Sequence, residues 1–181
     1  MLGGLLLALA AGLHALEPSG CAGAECDVRP MRTATTVVSI LAPVAALLIL
    51  IGLGGLTLLA RRAGRRRALA TSGLICAGAG VVILFSAGVI QAFFFAGDFP
   101  WMPFFVLPGM LCVIVGVVLL GVFILRSGVL PRWLGILLAV SGALLLLANE
   151  QFVTVLLAMP FGLTMAVVGL FMWNSGEQTR A

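Results

Sequence analysis

Long stretches without a single charged residue divide this chain, and no other feature constrains its fold as strongly. Stretches 34–60, 68–97 and 103–125 contain only uncharged side chains, most of them apolar. An α-helix that crosses the hydrocarbon core of a bilayer needs about 20 consecutive, predominantly apolar residues. Each stretch therefore predicts a membrane-spanning helix.

The composition excludes a soluble protein. Of the 181 residues, 62% are hydrophobic and 9% are charged, whereas soluble domains carry about 25% charged residues. The mean hydropathy of +1.27 is that of an integral membrane protein. We expect one transmembrane domain over residues 1–181. We expect no nucleic-acid partner, because the basic residues lie in short loops beside apolar stretches, where membrane topology explains them.

The apolar stretches predict an all-α integral membrane protein, a bundle of six transmembrane helices. The first stretch has two interpretations. Sixteen helical residues reach about 24 Å, less than a core about 30 Å thick, and such a stretch also resembles a signal peptide, although it lacks a charged amino-terminal region. Cleavage would leave five helices. The predicted spans are 1–16, 34–60, 68–97, 103–125, 133–149 and 152–173, with an external cysteine loop over 17–33 and a cytoplasmic tail over 174–181.

Arginines orient the predicted bundle. One group lies between the second and third spans and another between the fourth and fifth, so both groups fall on one side of the membrane. Positive residues favour the cytoplasmic side, which also places the carboxyl terminus there. We expect these arginines to contact anionic lipid headgroups, each contributing about 1 kcal/mol, or an acidic partner protein. They are Arg61, Arg62, Arg65, Arg66, Arg67, Arg126 and Arg132.

The opposite side of the predicted bundle receives most of the acidic residues, with two arginines as exceptions to the charge rule. Every basic residue of the chain is an arginine, which GC-rich codons favour. The location that we expect is therefore the cytoplasmic (inner) membrane of a bacterium. The acids on the outer side are Glu17, Glu25, Asp27, Asp98 and Glu150, and the exceptions are Arg29 and Arg32.

The spacing of prolines and arginines hints at an internal repeat. Pro43 precedes Arg61 by 18 residues, and Pro108 precedes Arg126 by 18 residues, at an offset of 65. A parallel duplication of one helical hairpin would produce this offset. Two unrelated hairpins of similar length would produce it as well, so both interpretations stand.

The segment RSGVLPRWLG predicts a turn between the fourth and fifth spans, with Gly128 ending one helix and Pro131 starting the next. Trp133 then lies where aromatic residues border the membrane. With a last span that ends VVGLFMW, this turn resembles a family of uncharacterised bacterial multi-pass membrane proteins, which often carry an Arg-Ser-x-x-Leu-Pro-Arg-Trp-Leu turn between two late helices. The resemblance covers about residues 120–173. It implies a multi-pass fold and carries over no catalytic residue.

The cysteines of the external loop are the best candidates for chemistry. Cys21 and Cys26, in CAGAEC, would lie in an oxidising compartment, where a disulfide would stabilise the loop by about 2 kcal/mol. The alternative is a redox-active pair in a thiol relay. The spacing is not that of zinc or thioredoxin-type sites, and with His14 as the only histidine we expect no metal. Cys76 and Cys112, inside spans, should behave as small hydrophobic residues.

Chemistry inside the membrane needs groups that this chain does not place there. Every Asp, Glu and Arg falls in a predicted loop or at the end of a span. Proton and ion pathways usually depend on ionisable residues within the spans, and intramembrane hydrolases need a paired nucleophile and base. We expect no ion-coupled transport, no enzymatic activity and no cofactor.

An aromatic cluster at the outer end of the third and fourth spans has two interpretations. The first is an interfacial belt, and the second is a pocket for a lipid or a quinone-like molecule. The cluster consists of Phe93, Phe94, Phe95, Trp101 and Phe104.

Three functions follow, in descending order of support. The first is an accessory or scaffold subunit of a membrane assembly, with a membrane protein as partner and an oligomeric state that the sequence leaves open. The second is a carrier or binder of a small hydrophobic ligand. The third is a membrane thiol oxidoreductase that uses Cys21 and Cys26.

Overall fold

A computed structural model describes residues 1–21, 32, 34–62, 67–95 and 101–178 of the chain. Over these residues the chain forms six α-helices and no strand, which confirms the all-α class. A 3-10 turn over Leu145–Leu147 follows the fifth helix, and another over Val153–Leu157 precedes the sixth. The helices are α1 (Leu2–Ala15), α2 (Thr36–Arg62), α3 (Arg67–Phe94), α4 (Met102–Ser127), α5 (Arg132–Leu144) and α6 (Ala158–Gln178).

Among the described residues, four helical segments are long and apolar enough to cross a membrane, which makes this a multi-pass membrane protein. Their mean hydropathies run from 2.2 to 2.8. Two further apolar segments, Leu2–Ala15 and Arg132–Leu147, are shorter. The four long segments are Thr36–Leu59, Ala68–Gln91, Met102–Ser127 and Val153–Asn174.

The last two predicted spans, 133–149 and 152–173, are less regular than their hydropathy suggests. The α-helical part of the fifth ends at Leu144, and that of the sixth begins at Ala158. Pro160 explains the late start, because it has no N–H to donate to the carbonyl four residues earlier. It lies instead in the first turn of α6, where the N–H groups have no intrahelical partner in any case.

The chain divides into two compact units. Unit 1 comprises Met1–Gly52 and Leu147–Ala181, and unit 2 comprises Leu53–Leu146. In unit 1, α1 and α6 run antiparallel with their backbones in contact. A Cβ atom on Gly162 would lie 2.6 Å from the Gly4 carbonyl oxygen and 2.9 Å from the Ala8 nitrogen, while Met1 reaches Gly169. The start of α1 and the second half of α6 therefore lie at the same end of unit 1.

In unit 2, glycines bring α4 into backbone contact with both α3 and α5. A Cβ atom on Gly73 would lie 2.9 Å from the Gly116 carbonyl oxygen, and one on Gly121 would lie 2.7 Å from that of Gly135. Small residues at such crossings let transmembrane helices approach closely. Around them, α4 and α5 bury Leu120, Phe123, Ile124, Leu134 and Leu138 completely.

The turn between α4 and α5 follows the residues that predict it. Gly128 ends α4 with a φ of 66°, a left-handed conformation that only glycine adopts without strain. Its N–H donates to the Ile124 carbonyl oxygen at 3.3 Å. Pro131 caps the start of α5 with a φ of −52° and a ψ of 134°.

Candidate functional site

A cluster of polar contacts at one end of unit 1 joins the chain after α1, the chain before α2 and the chain before α6. We call it the polar loop cluster and define it as residues 14–20, 32, 34–35 and 149–152. Arg32 is its centre. Its side chain donates to carbonyl oxygens of Pro18 at 2.9 Å, Glu150 at 3.1 Å and Phe152 at 3.3 Å, and also to that of Glu17.

The backbone of the same residue completes the junction. The Arg32 N–H donates to the Gln151 side-chain oxygen at 2.8 Å, and the Gly20 N–H donates to the Gln151 carbonyl oxygen at 2.9 Å. A Cβ atom on Gly20 would lie 2.8 Å from the Arg32 Cβ atom, so this contact requires a glycine. A guanidinium has five N–H groups in a rigid fork, and four of its hydrogen bonds here go to main-chain carbonyls. The role of Arg32 is therefore structural, since its hydrogen bonds hold three loops together.

Glu17 links the end of α1 to the start of α2. Its carboxylate accepts the Thr35 N–H at 3.1 Å and lies 2.8 Å from Nδ1 of His14. Partial burial is the strongest single influence and would raise the pKa of Glu17, but the hydrogen bonds from Thr35 and the attraction of His14 outweigh it together. The net result is a pKa below the ordinary value of 4.5. The folded chain therefore favours the ionised carboxylate.

Cys21 follows the cluster directly and is 1% exposed. Cys26 lies outside the described residues, so the Cys21–Cys26 disulfide stays a prediction. Deep burial of Cys21 suits a structural bond better than a redox relay, because reactive thiols sit in accessible positions.

The predicted arginine group lies at one end of unit 2. This arrangement follows because α3 and α5 both run antiparallel to α4, so the end of α2, the start of α3, the end of α4 and the start of α5 share that end. Arg61, Arg126 and Arg132 are exposed there. Arg62 and Arg67 belong to helix ends, and Arg65 and Arg66 lie outside the described residues.

The aromatic cluster lies at the other end of α3 and α4. Phe93 is 80% exposed and Phe94 77%, and Phe95 is exposed as well. Trp101 and Phe104 are also exposed, with ring centroids 5.7 Å apart. Side chains that project outwards in this way suit an interfacial belt, and the ligand pocket stays a prediction.

Within the described parts of the chain, no group of three or more His, Cys, Asp or Glu residues could hold a metal ion. Hydroxyl groups inside the helices bond to their own backbone. The Thr57 hydroxyl donates to the Gly54 carbonyl oxygen at 2.7 Å, and the Thr164 hydroxyl to that of Pro160 at 2.8 Å. Such bonds leave these hydroxyls in a local structural role.

Sequence reasoning missed two features. It treated Arg32 as an exception to the charge rule, and no local pattern marks a side chain whose partners are 118 residues away. It also treated Cys76 and Cys112 as independent hydrophobic residues, although the two lie opposite each other where α3 and α4 cross. A signal for that pair exists, because the spacing Gly-x2-Cys-x3-Gly occurs in both helices.

Comparisons of this chain with protein-family models, with curated proteins and with solved structures found no match. The resemblance of residues 120–173 to a bacterial multi-pass family therefore stays a prediction.

Proposed function

We propose that this protein is a non-enzymatic accessory or scaffold subunit of a membrane assembly, located in the cytoplasmic membrane of a bacterium. The observation that carries the proposal is a set of glycines in α2 and α3 that face no other described residue. Among those residues, a Cβ atom at Gly52, Gly54, Gly78 or Gly88 would meet no atom within 4 Å. These positions contrast with the glycines at the helix crossings, which are pressed against a neighbouring backbone.

A glycine inside a helix lowers the stability of that helix by about 1 kcal/mol relative to alanine. A glycine that packs against no neighbouring helix therefore needs another explanation. Close approach by a partner helix is the usual reason in membrane proteins. On α3, the side chains that flank Gly78 on the same face form an apolar surface. Ile75 is 66% exposed, Val82 63% and Phe85 59%. This surface suits a transmembrane helix of another protein.

The polar residues support the same function. The side chain of Arg32 in the polar loop cluster donates to backbone carbonyls, and the hydroxyls of Thr57 and Thr164 do the same within their helices. The exposed arginines at one end of unit 2 fit the positive-inside rule, which predicts that this end faces the cytoplasm. Arg126 and Arg132 can then contact anionic headgroups or an acidic segment of the partner.

Site-specific photocrosslinking in native membranes tests the proposed surface. A photoreactive amino acid replaces Val82, beside Gly78, and in a second chain it replaces Leu163 of α6, which is 49% exposed. We expect the probe at residue 82 to join one membrane protein in a defined band and the probe at residue 163 to label lipid. Lipid labelling from both positions would contradict the proposal.

A further inference from the structure

Two cysteines face each other where α3 and α4 are closest. Gly73, Cys76 and Gly80 on α3 have the same spacing as Gly109, Cys112 and Gly116 on α4. Since the helices are antiparallel, the first glycine of each motif meets the last glycine of the other. A Cβ atom on Gly116 would lie 2.6 Å from the Gly73 carbonyl oxygen, and one on Gly109 would lie 3.3 Å from that of Gly80.

The two thiols lie between these glycine contacts. Cys76 therefore lies opposite Cys112 across the helix crossing, close enough for the two side chains to interact. Both cysteines are free and half-buried. A disulfide requires Cα atoms about 4.4–6.8 Å apart, and helices whose backbones touch on both sides of the pair meet that requirement more readily than ordinary helix pairs, whose axes are about 8–10 Å apart.

The depth of the pair selects the reagents that reach it. Cys76 is nine residues beyond Arg67, or about 14 Å along the helix axis, and Cys112 is ten residues beyond Met102, or about 15 Å. In a hydrocarbon core about 30 Å thick, both thiols lie near the middle. Charged oxidants are excluded from that layer by the cost of desolvating them, whereas lipid-soluble ones enter it.

We propose that Cys76 and Cys112 form a redox modification site, a dithiol that a membrane-soluble quinone converts reversibly into a disulfide between α3 and α4. In the forward step two S–H bonds break and one S–S bond forms. The two electrons and two protons pass to the quinone, which becomes the quinol. The bond ties the two helices covalently at their crossing. This inference is independent of the subunit function.

The test uses the full chain in liposomes, first reduced and then exposed to duroquinone, a benzoquinone whose full ring substitution disfavours thiol addition. The protein is then denatured and alkylated, and its intact mass counts the alkyl groups. We expect quinone treatment to lower the number of alkyl groups by two more in the natural chain than in the Cys76→Ser chain. In that variant Cys112 has no thiol at residue 76 to pair with. A reducing agent applied before alkylation should restore the count.

Both chains contain Cys21 and Cys26. Comparison with the Cys76→Ser chain therefore cancels any change in the count that comes from those two cysteines. Cys112→Ser should behave like Cys76→Ser, and it provides a second reading if one variant does not fold. An equal decrease of the count in the natural and variant chains after quinone treatment would overturn the proposal. A product that carries the mass of an added quinone would overturn it as well.

Discussion

At the scale of single residues, Arg32 joins the loops of unit 1, because its side chain donates to carbonyls in two other loops, 14 and 118 residues away. Its removal leaves those carbonyls without their donors and separates three segments. Hydrogen bonds to charged groups contribute about 1.5–3 kcal/mol each at burial, and these are partly exposed. We expect Arg32→Ala to lower the free energy of unfolding by about 2 kcal/mol.

Thermal unfolding in detergent measures this effect through the melting temperature. Arg32→Lys should recover little stability, because an ammonium group lacks the fork that reaches several carbonyls. Arg126→Ala, at an exposed helix end, is the matched control and should melt with the natural chain. An Arg32→Ala chain that melts with the control would show that the polar loop cluster does not depend on the guanidinium.

Glu17 makes the same end of unit 1 sensitive to acid. Its pKa is lowered from the ordinary 4.5 in the folded chain, so the unfolded chain binds more protons in that range and stability rises with pH. The contribution is complete above the ordinary pKa and is lost as the pH falls through the lowered one. Melting temperatures from about pH 6 down to about pH 3.5 should decline less in Glu17→Gln than in the natural chain. Parallel curves would contradict the ionised pairing of Glu17 with Thr35 and His14.

At the scale of helices, the glycines divide into two classes that differ in whether a larger side chain is tolerated in their place. Gly116 is pressed against α3, where a Cβ atom would lie 2.8 Å from the Ala77 Cα, whereas a Cβ atom on Gly78 would meet no described residue within 4 Å. Overpacking costs about 1–3 kcal/mol. We therefore expect Gly116→Leu to lower the melting temperature in detergent and Gly78→Leu to leave it unchanged. Equal losses from both substitutions would refute this division.

Helix boundaries support the internal repeat more strongly than proline spacing does. α2 ends at Arg62 and α4 at Ser127, and α3 begins at Arg67 and α5 at Arg132, so both pairs show the offset of 65. The second helices differ, since α3 has 28 residues and α5 has 13. A duplication would therefore require later shortening of α5, and the repeat stays a prediction.

The sequence predicted the helices that have clear end signals. Gly128 and Pro131 mark the α4–α5 turn because their backbone angles are restricted, and the arginines mark the ends of α2 and α3. Hydropathy could not predict the 3-10 turns on either side of Asn149, because it measures apolar content and carries no information on hydrogen-bond geometry. The polar loop cluster and the thiol pair depend on tertiary contacts, so the individual residues were visible but their partners were not.

At the scale of the whole chain, the topology prediction gains support from each unit taken by itself. In unit 1, Met1 reaches Gly169, which places the amino terminus and the end of α6 at the same end. In unit 2, the exposed arginines gather at one end. Single cysteines introduced into a chain that lacks its natural ones should react with an impermeant reagent from the cytoplasmic side at residue 126 and from the outside at residue 150. Reaction of both from one side would contradict six alternating spans.

The subunit proposal is tested most directly by native mass spectrometry of the tagged protein, released gently from its own membrane. We predict a stoichiometric complex with another membrane protein, and its loss in Gly54→Leu and Gly78→Leu chains that still fold. The same spectrum gives the intact mass, which should include α1, because its Gly4 and Ala8 pack against α6. A chain that appears alone would contradict the subunit function, and a defined small hydrophobic mass bound to it would support the carrier function instead.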